Sequence, residues 1–183
     1  MPTTTNFGLR YPALSDAPNG PQAFQNLASD VDTLLTGYHG YYRQEITGQS
    51  IPTSADTKVT FNFAVPTVPL GIAYSAGVFT IGKAGMWTLR ATVCHKWYSA
   101  STTTSAWLGP SSATTTRWVL DTRQQPSSSP PVNDQPLHIT HTREFALNET
   151  FALWTWHNEG SSRALSVTYG GMTKLEAEYK GAK

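Results

Sequence analysis

The segment from Ala73 to Trp97, AYSAGVFTIGKAGMWTLRATVCHKW, constrains the fold more than any other part of the chain. Trp87, Leu89, Ala91, Val93 and Trp97 alternate with Thr88, Arg90, Thr92 and Lys96. Side chains alternate across a strand with period two, so the pattern predicts a long strand with one apolar face. His95 falls on that face and Cys94 on the polar one. Ahead of it, Gly77 opens a short strand over Val78 to Ile81. Gly82 to Gly85 (GKAG) then predicts a hairpin turn joining the two strands.

The same rhythm runs through most of the chain. Val59, Phe61, Phe63 and Val65 alternate with Lys58, Thr60 and Asn62, and Pro66 and Pro69 end that run. Ser99 to Thr116 holds eleven Ser or Thr in eighteen positions around Trp107 and Leu108, which predicts two edge segments and a polar loop. Further strands are predicted over Arg117 to Asp121, His138 to Leu147, Phe151 to His157, Ala164 to Tyr169 and Thr173 to Tyr179. Gln124 to Pro136 (QQPSSSPPVNDQP) reads as a long loop of the kind that often carries function. Roughly eight to ten short strands at regular spacing predict a mainly β fold, a β-sandwich with jelly-roll topology.

Phe151 to Trp156 stands out within this set. Phe151 and Leu153 lie on one face, and Ala152, Trp154 and Trp156 on the other. A sandwich strand usually buries one face only, so two tryptophans on the second face predict an interface or a ligand surface.

The N-terminal region is built differently. Residues 1–20 carry Pro2, Pro12, Pro18, Gly8 and Gly20, which exclude a regular helix or a central strand. This extended arm presents Phe7, Leu9, Tyr11 and Leu14 at near-alternate spacing, either as a loose tail with scattered apolar residues or as a strap that docks on a partner. Asn19, Gly20 and Pro21 then start a short helix over about residues 21–36, which Gly37 ends. Phe24, Leu27, Val31 and Leu34 step by 3, 4 and 3, which is heptad spacing. Such a seam packs on the rest of its own chain or on copies of itself, because a helix of this length is marginal alone. Tyr38 to Tyr42 (YHGYY) reads as a linker, so the expected division is an anchor over 1–41 and a knob over 42–183.

Composition narrows the function. Charged residues are only 14%, against about 25% for an average soluble chain. The formal net charge is +1 with no basic run, which argues against a nucleic-acid partner. Cys94 is the only cysteine, so an intrachain disulfide is excluded and a cysteine-based zinc site is not expected. There is no apolar run of about 18 residues, so no membrane span is expected. MPTTTNFGLRYP lacks the apolar core of a secretory signal, which fits a surface-type protein released by lysis and equally an ordinary cytosolic protein.

No phosphate loop, GxSxG, HExxH or CxxC motif occurs. His138 and His141 stand three apart, hence on opposite faces of a strand, and cannot share an ion there. His95 is expected to be a core or interface histidine. Carboxylates are sparse, and nothing in the sequence points to the facing pair that a glycosidase requires. No catalytic residue, cofactor or metal is therefore expected, and a polysaccharide hydrolase is the weakest reading. Glycan contact is a further reading, in which Trp107, Asn133, Asp134 and Asn158 combine a ring with polar loop groups; the alternative is that Trp107 packs under its own loop.

Two resemblances bear on these readings. GVFTIGKAGMWTLRATV resembles the C1q/TNF-like jelly-roll signature, with Gly77, Phe79, Thr80, Gly85 and Trp87 in its characteristic places. A proline common in that turn is absent here, and Trp87 stands where a tyrosine is usual. The resemblance implies a knob that packs in threes about a symmetry axis, with Trp154 and Trp156 closing the homotrimer. NFGLRYPALSDAPNGPQAFQNLASDVDTLL is similar to the N-terminal segment of bacteriophage minor tail and virion-surface proteins, through Tyr11, Pro12, Leu14, Asp16, Pro18, Gly20 and Pro21. That implies a virion-surface spike or fibre, on tail or capsid, whose partners are itself, other virion proteins and host cell-wall glycan.

Overall fold

Glycine- and proline-bearing breaks divide the chain into one helix and a succession of short strands. The computed structural model describes residues 20–36, 39–43, 48–65, 71–96, 102–112, 115–124, 135–167 and 172–181. The arm residues Phe7, Leu9, Tyr11 and Leu14 lie outside them, as does Trp97. Helix α1 (Gly20–Thr36) comes first. It is followed by β1 (His39–Arg43), β2 (Ser50–Ile51), β3 (Thr57–Lys58), β4 (Phe63–Val65), β5 (Ile72–Ser75), β6 (Val78–Ile81) and β7 (Gly85–His95). Then come β8 (Thr103–Pro110), β9 (Val119–Gln124), β10 (Gln135–Phe145), β11 (Thr150–His157), β12 (Arg163–Ala164) and β13 (Lys174–Gly181).

Two antiparallel sheets face each other. One has the order β10-β7-β13-β1-β4. The other has the order β5-β6-β11-β8-β9, with β3 also paired to β11. β12 and β2 form a small ladder at one end. Neighbouring strands are mostly distant in sequence, as a jelly roll requires.

The long strand forms with the predicted inward set, but Thr88 and Cys94 on its other face are buried as well. Trp87, Leu89, Ala91, Val93 and His95 point into the core, and Arg90 points out. The turn before it is not a hairpin. β6 belongs to the six-stranded sheet and β7 to the five-stranded one, so Gly82 to Gly85 carries the chain across the sandwich. The true local hairpin is β5–β6, closed at Ala76–Gly77 with Ser75 opposite Val78. A glycine-rich break signals a turn, but which sheet each flanking strand joins is decided by distant partners.

Three other expectations change. YHGYY is not a linker: β1 pairs with both β13 and β4, and the Tyr42 ring packs 4.9 Å from Phe79 and 5.2 Å from Tyr74. The sandwich therefore begins at His39, since burying Tyr42 outweighs the glycine break. Residues 58–65 do not form one strand. β3 joins one sheet and β4 the other, while Val59 and Phe61 between them still point inward. The Ser/Thr-rich stretch is not at an edge: β8 lies between β11 and β9 and is buried along most of its length. Its hydroxyls are matched locally, as where Ser105 shares a hydrogen with Thr122 at 3.0 Å, so polarity did not force exposure.

The core is one aromatic-rich cluster between the sheets. Phe79 and Phe151 stack at 4.9 Å, and Phe151 continues to Phe145 at 5.5 Å. Trp87 and Tyr179 close the end near the crossing turn, with Trp87 Nε1 donating to Lys83 O at 3.0 Å. Gly85 sits there at φ 138°, and a Cβ on it would lie 2.5 Å from Gly181 O. Both the backbone angle and the space require glycine. Gly85→Ala is expected to lower the unfolding free energy by about 2 kcal/mol, read from urea denaturation; an unchanged midpoint would show that the crossing turn relaxes freely.

Candidate functional site

The outer face of the six-stranded sheet is where the chain departs most from a plain sandwich. Residues directly opposite on antiparallel strands share a face. Trp154 is opposite Lys58 on β3 and Trp107 on β8, and Trp107 is opposite Leu120 on β9. One row thus reads Lys58, Trp154, Trp107, Leu120. The next row places Trp156 opposite Ser105, and Ser105 opposite Thr122. This second apolar cluster, Trp107, Ala152 and Trp154 with Trp156 against it, is separate from the core.

The two central rings are covered by their own chain. Trp107 and Trp154 stack with centroids 6.4 Å apart and planes within 7°. Arg117 lies 4.3 Å from the Trp107 ring centre, and Lys58 Nζ lies 5.2 Å from that of Trp154. Trp154 Nε1 donates to Pro110 O at 3.3 Å. The segment after β8 folds back closely because Gly109 has no side chain: a Cβ there would lie 2.3 Å from Thr116 O. Cation–π contact and ring stacking offset the cost of an apolar surface that faces away from the core.

This arrangement corrects two expectations. Trp107 is fully buried, so its ring is not available as an exposed glycan contact. Trp154 is 6% exposed in the single chain, so it has little surface left for a subunit interface. Trp156 remains half-exposed. Asn158 is exposed but engaged: its Oδ1 accepts the Thr103 N–H at 2.7 Å, and its own N–H donates to Thr103 O at 3.2 Å. It clamps the ends of β8 and β11. Asn133 and Asp134 lie outside the described residues. His138 and His141 point to opposite faces as expected, with His141 stacked on Trp118 at 6.0 Å.

Beside Trp156 the face opens into a depression of about 230 Å³ lined by Asp56, Ser105, Arg117 and Trp156. Sequence reasoning missed this grouping. Alternation along β11 does place Trp156 outward, but Asp56 and Arg117 sit in connections with no motif. Ser105 lies in the Ser/Thr-rich run whose polarity predicts edge segments and a polar loop, with no sign of a site.

The opposite face of β11 holds a buried polar chain. Thr155 Oγ1 donates to Ser105 O at 2.9 Å, so its hydroxyl accepts from His95 Nε2 at 2.8 Å. His157 Nε2 donates to Ile51 O at 3.0 Å, and its Nδ1 accepts the Glu159 N–H at 3.2 Å. Arg163 pairs with Glu159. The two imidazoles meet edge to face at 5.2 Å. Both are thus neutral Nε2–H tautomers that tie the ends of the two sheets together. His95 is fully buried, as a core histidine. Among the described residues no group of three His, Cys, Asp or Glu is placed to hold a metal ion.

No protein-family model matches the chain, and no curated protein sequence does. Solved structures do. Murine APRIL, in its crystal structure at pH 5.0, superposes with a TM-score of 0.53 at 11% identity, over 78% of this chain and 99% of that one. Eiger TNF from S. frugiperda superposes with a TM-score of 0.59 at 8% identity, over 80% of this chain and 94% of that one. The fold is a TNF-like jelly roll, as the Gly77 to Val93 stretch implied.

Two outcomes follow from this packing. Trp154→Ala is expected to cost about 3 kcal/mol of folding stability, because it opens a cavity within one chain; a loss confined to subunit association would contradict that. Burial, then the neighbouring His157, pushes the His95 pKa down to about 3, with Glu159 opposing. The unfolded chain therefore binds the extra proton first as pH falls below about 6.5, and stability declines from there toward about 3, by up to about 1.4 kcal/mol per pH unit. Urea midpoints across that window should fall steeply, and His95→Gln should flatten the slope by about one proton.

Proposed function

We propose that this chain is a non-enzymatic display protein of a bacteriophage surface, in which a TNF-like knob assembles as a homotrimer and the N-terminal segment holds it to the particle. The observation that carries the reading is the uncovered first half of the α1 seam. Phe24 is 75% exposed and Leu27 39% exposed in the single chain. No strand makes extensive contact with α1 among the described residues. A 17-residue helix is marginal in water by itself, so an apolar seam left in solvent calls for a partner.

Heptad spacing favours copies of the same seam as that partner, with Val31 and Leu34 continuing it. Closed threefold symmetry also suits the C1q/TNF-like resemblance of the knob. The similarity of residues 6–35 to phage minor tail and virion-surface segments supports the anchor role. In this reading Phe7, Leu9, Tyr11 and Leu14 grip the capsid or tail. Few copies per particle would mark a tail component, and many a capsid decoration.

Light scattering on the full-length chain is the test. A mass near three times 20.0 kDa is expected. Phe24→Ser with Leu27→Ser should weaken association while leaving knob melting unchanged, because neither side chain contributes to the sandwich core. A single-copy mass at all concentrations would end the trimer reading. Removal of residues 1–20 should abolish incorporation into particles, and normal incorporation would rule out the strap.

A further inference from the structure

The trimer reading makes no use of the depression beside Trp156. Its lining is chemically mixed: a carboxylate from Asp56, a guanidinium from Arg117, a hydroxyl from Ser105 and the half-exposed indole of Trp156. Asp56 and Arg117 are both exposed, and neither forms an ion pair among the described residues. Arg117 is held by Trp107 at 4.3 Å, and a guanidinium packed on a ring keeps its N–H donors for another acceptor. Ser105 is fixed by Thr122 at 3.0 Å. Trp156 is supported from beside by the Trp107–Trp154 cluster.

Three simple ligand classes fit this set poorly. A wholly apolar molecule would strip water from Asp56 and Arg117 and return no hydrogen bond. An anion would meet the Asp56 carboxylate, and a cation the Arg117 guanidinium. A neutral molecule with several hydroxyls and one C–H face satisfies every group. Adjacent hydroxyls donate to Asp56, a ring or hydroxyl oxygen accepts from Arg117, and the C–H face lies against the indole. The space, about 230 Å³, is below the range for drug-sized ligands and suits one sugar ring. We infer that this depression binds a single neutral pyranose unit of a surface polysaccharide, with Asp56 as the hydroxyl acceptor, Arg117 as the donor and Trp156 as the stacking platform. The site needs only one copy of the chain, so it stands independently of the trimer.

The test titrates the full-length protein with the methyl pyranosides of glucose, mannose, galactose, rhamnose and N-acetylglucosamine. Methyl glucuronide serves as the acidic control, and tryptophan fluorescence is the readout. At least one neutral glycoside should give a saturable change. Asp56→Asn should weaken that binding about tenfold or more, since it removes a charged acceptor. Asp56 is exposed and outside the core, so its variant keeps the wild-type melting temperature and light-scattering mass, which separates loss of binding from loss of fold or assembly. Trp156→Ala should abolish the change. Saturation by no neutral glycoside, preference for the glucuronide, or wild-type affinity in Asp56→Asn would each overturn the inference.

Discussion

Burial of β11 on both faces is the constraint on which the rest of the structure depends. Phe151 and Leu153 enter the aromatic core, where Phe151 stacks on Phe79 at 4.9 Å. Trp154 goes the other way and stacks on Trp107. A strand with apolar groups on both sides needs two layers of cover, and a two-sheet sandwich supplies only one. The chain provides the second layer itself, from the stretch after β8 that brings Thr116 and Arg117 over the sheet. The outer face becomes a small secondary core with a polar margin, and the depression beside Trp156 is the gap that this cover leaves open.

The same strand explains how the sandwich is closed at one end. Beyond Leu153 its inward positions become Thr155 and His157, which hydrogen-bond across to His95, Ser105 and Ile51. These are polar groups in a place where apolar ones would pack. Each imidazole donates from Nε2, His95 to Thr155 Oγ1 and His157 to Ile51 O, and that donation fixes its tautomer. Inward burial and a defined hydrogen-bond pattern come from one strand, which ties both sheets to it.

The helix presents a different problem. Among the described residues the sandwich covers most of its own apolar surface, Trp107 and Trp154 included, and leaves Trp156 half-exposed and Leu120 and Leu147 exposed. α1 does not, since Phe24 and Leu27 remain in solvent. In the proposed assembly the partner surface therefore moves from the knob's outer sheet to the N-terminal helix. That shift follows from where cover is supplied, because the residue types at both places are equally apolar.

Local periodicity in the sequence determined the strand character of β7 and β11, the helix over residues 20–36, the inward set from Trp87 to His95, and the opposite faces of His138 and His141. These properties depend on neighbours within a few residues, so the sequence carries them directly. The glycine-rich motif also pointed to a C1q/TNF-like jelly roll. Only the tertiary structure decided that Gly82 to Gly85 crosses between sheets, that the Ser/Thr-rich β8 is central, and that Tyr42 belongs to the core. It also decided that Asp56, Ser105, Arg117 and Trp156 meet at one place. Each of these rests on pairing between strands far apart in the chain. A hydroxyl or a tryptophan carries no local sign of whether a distant segment will cover it, and burial is settled only when the sheets and the segments that fold over them are in place.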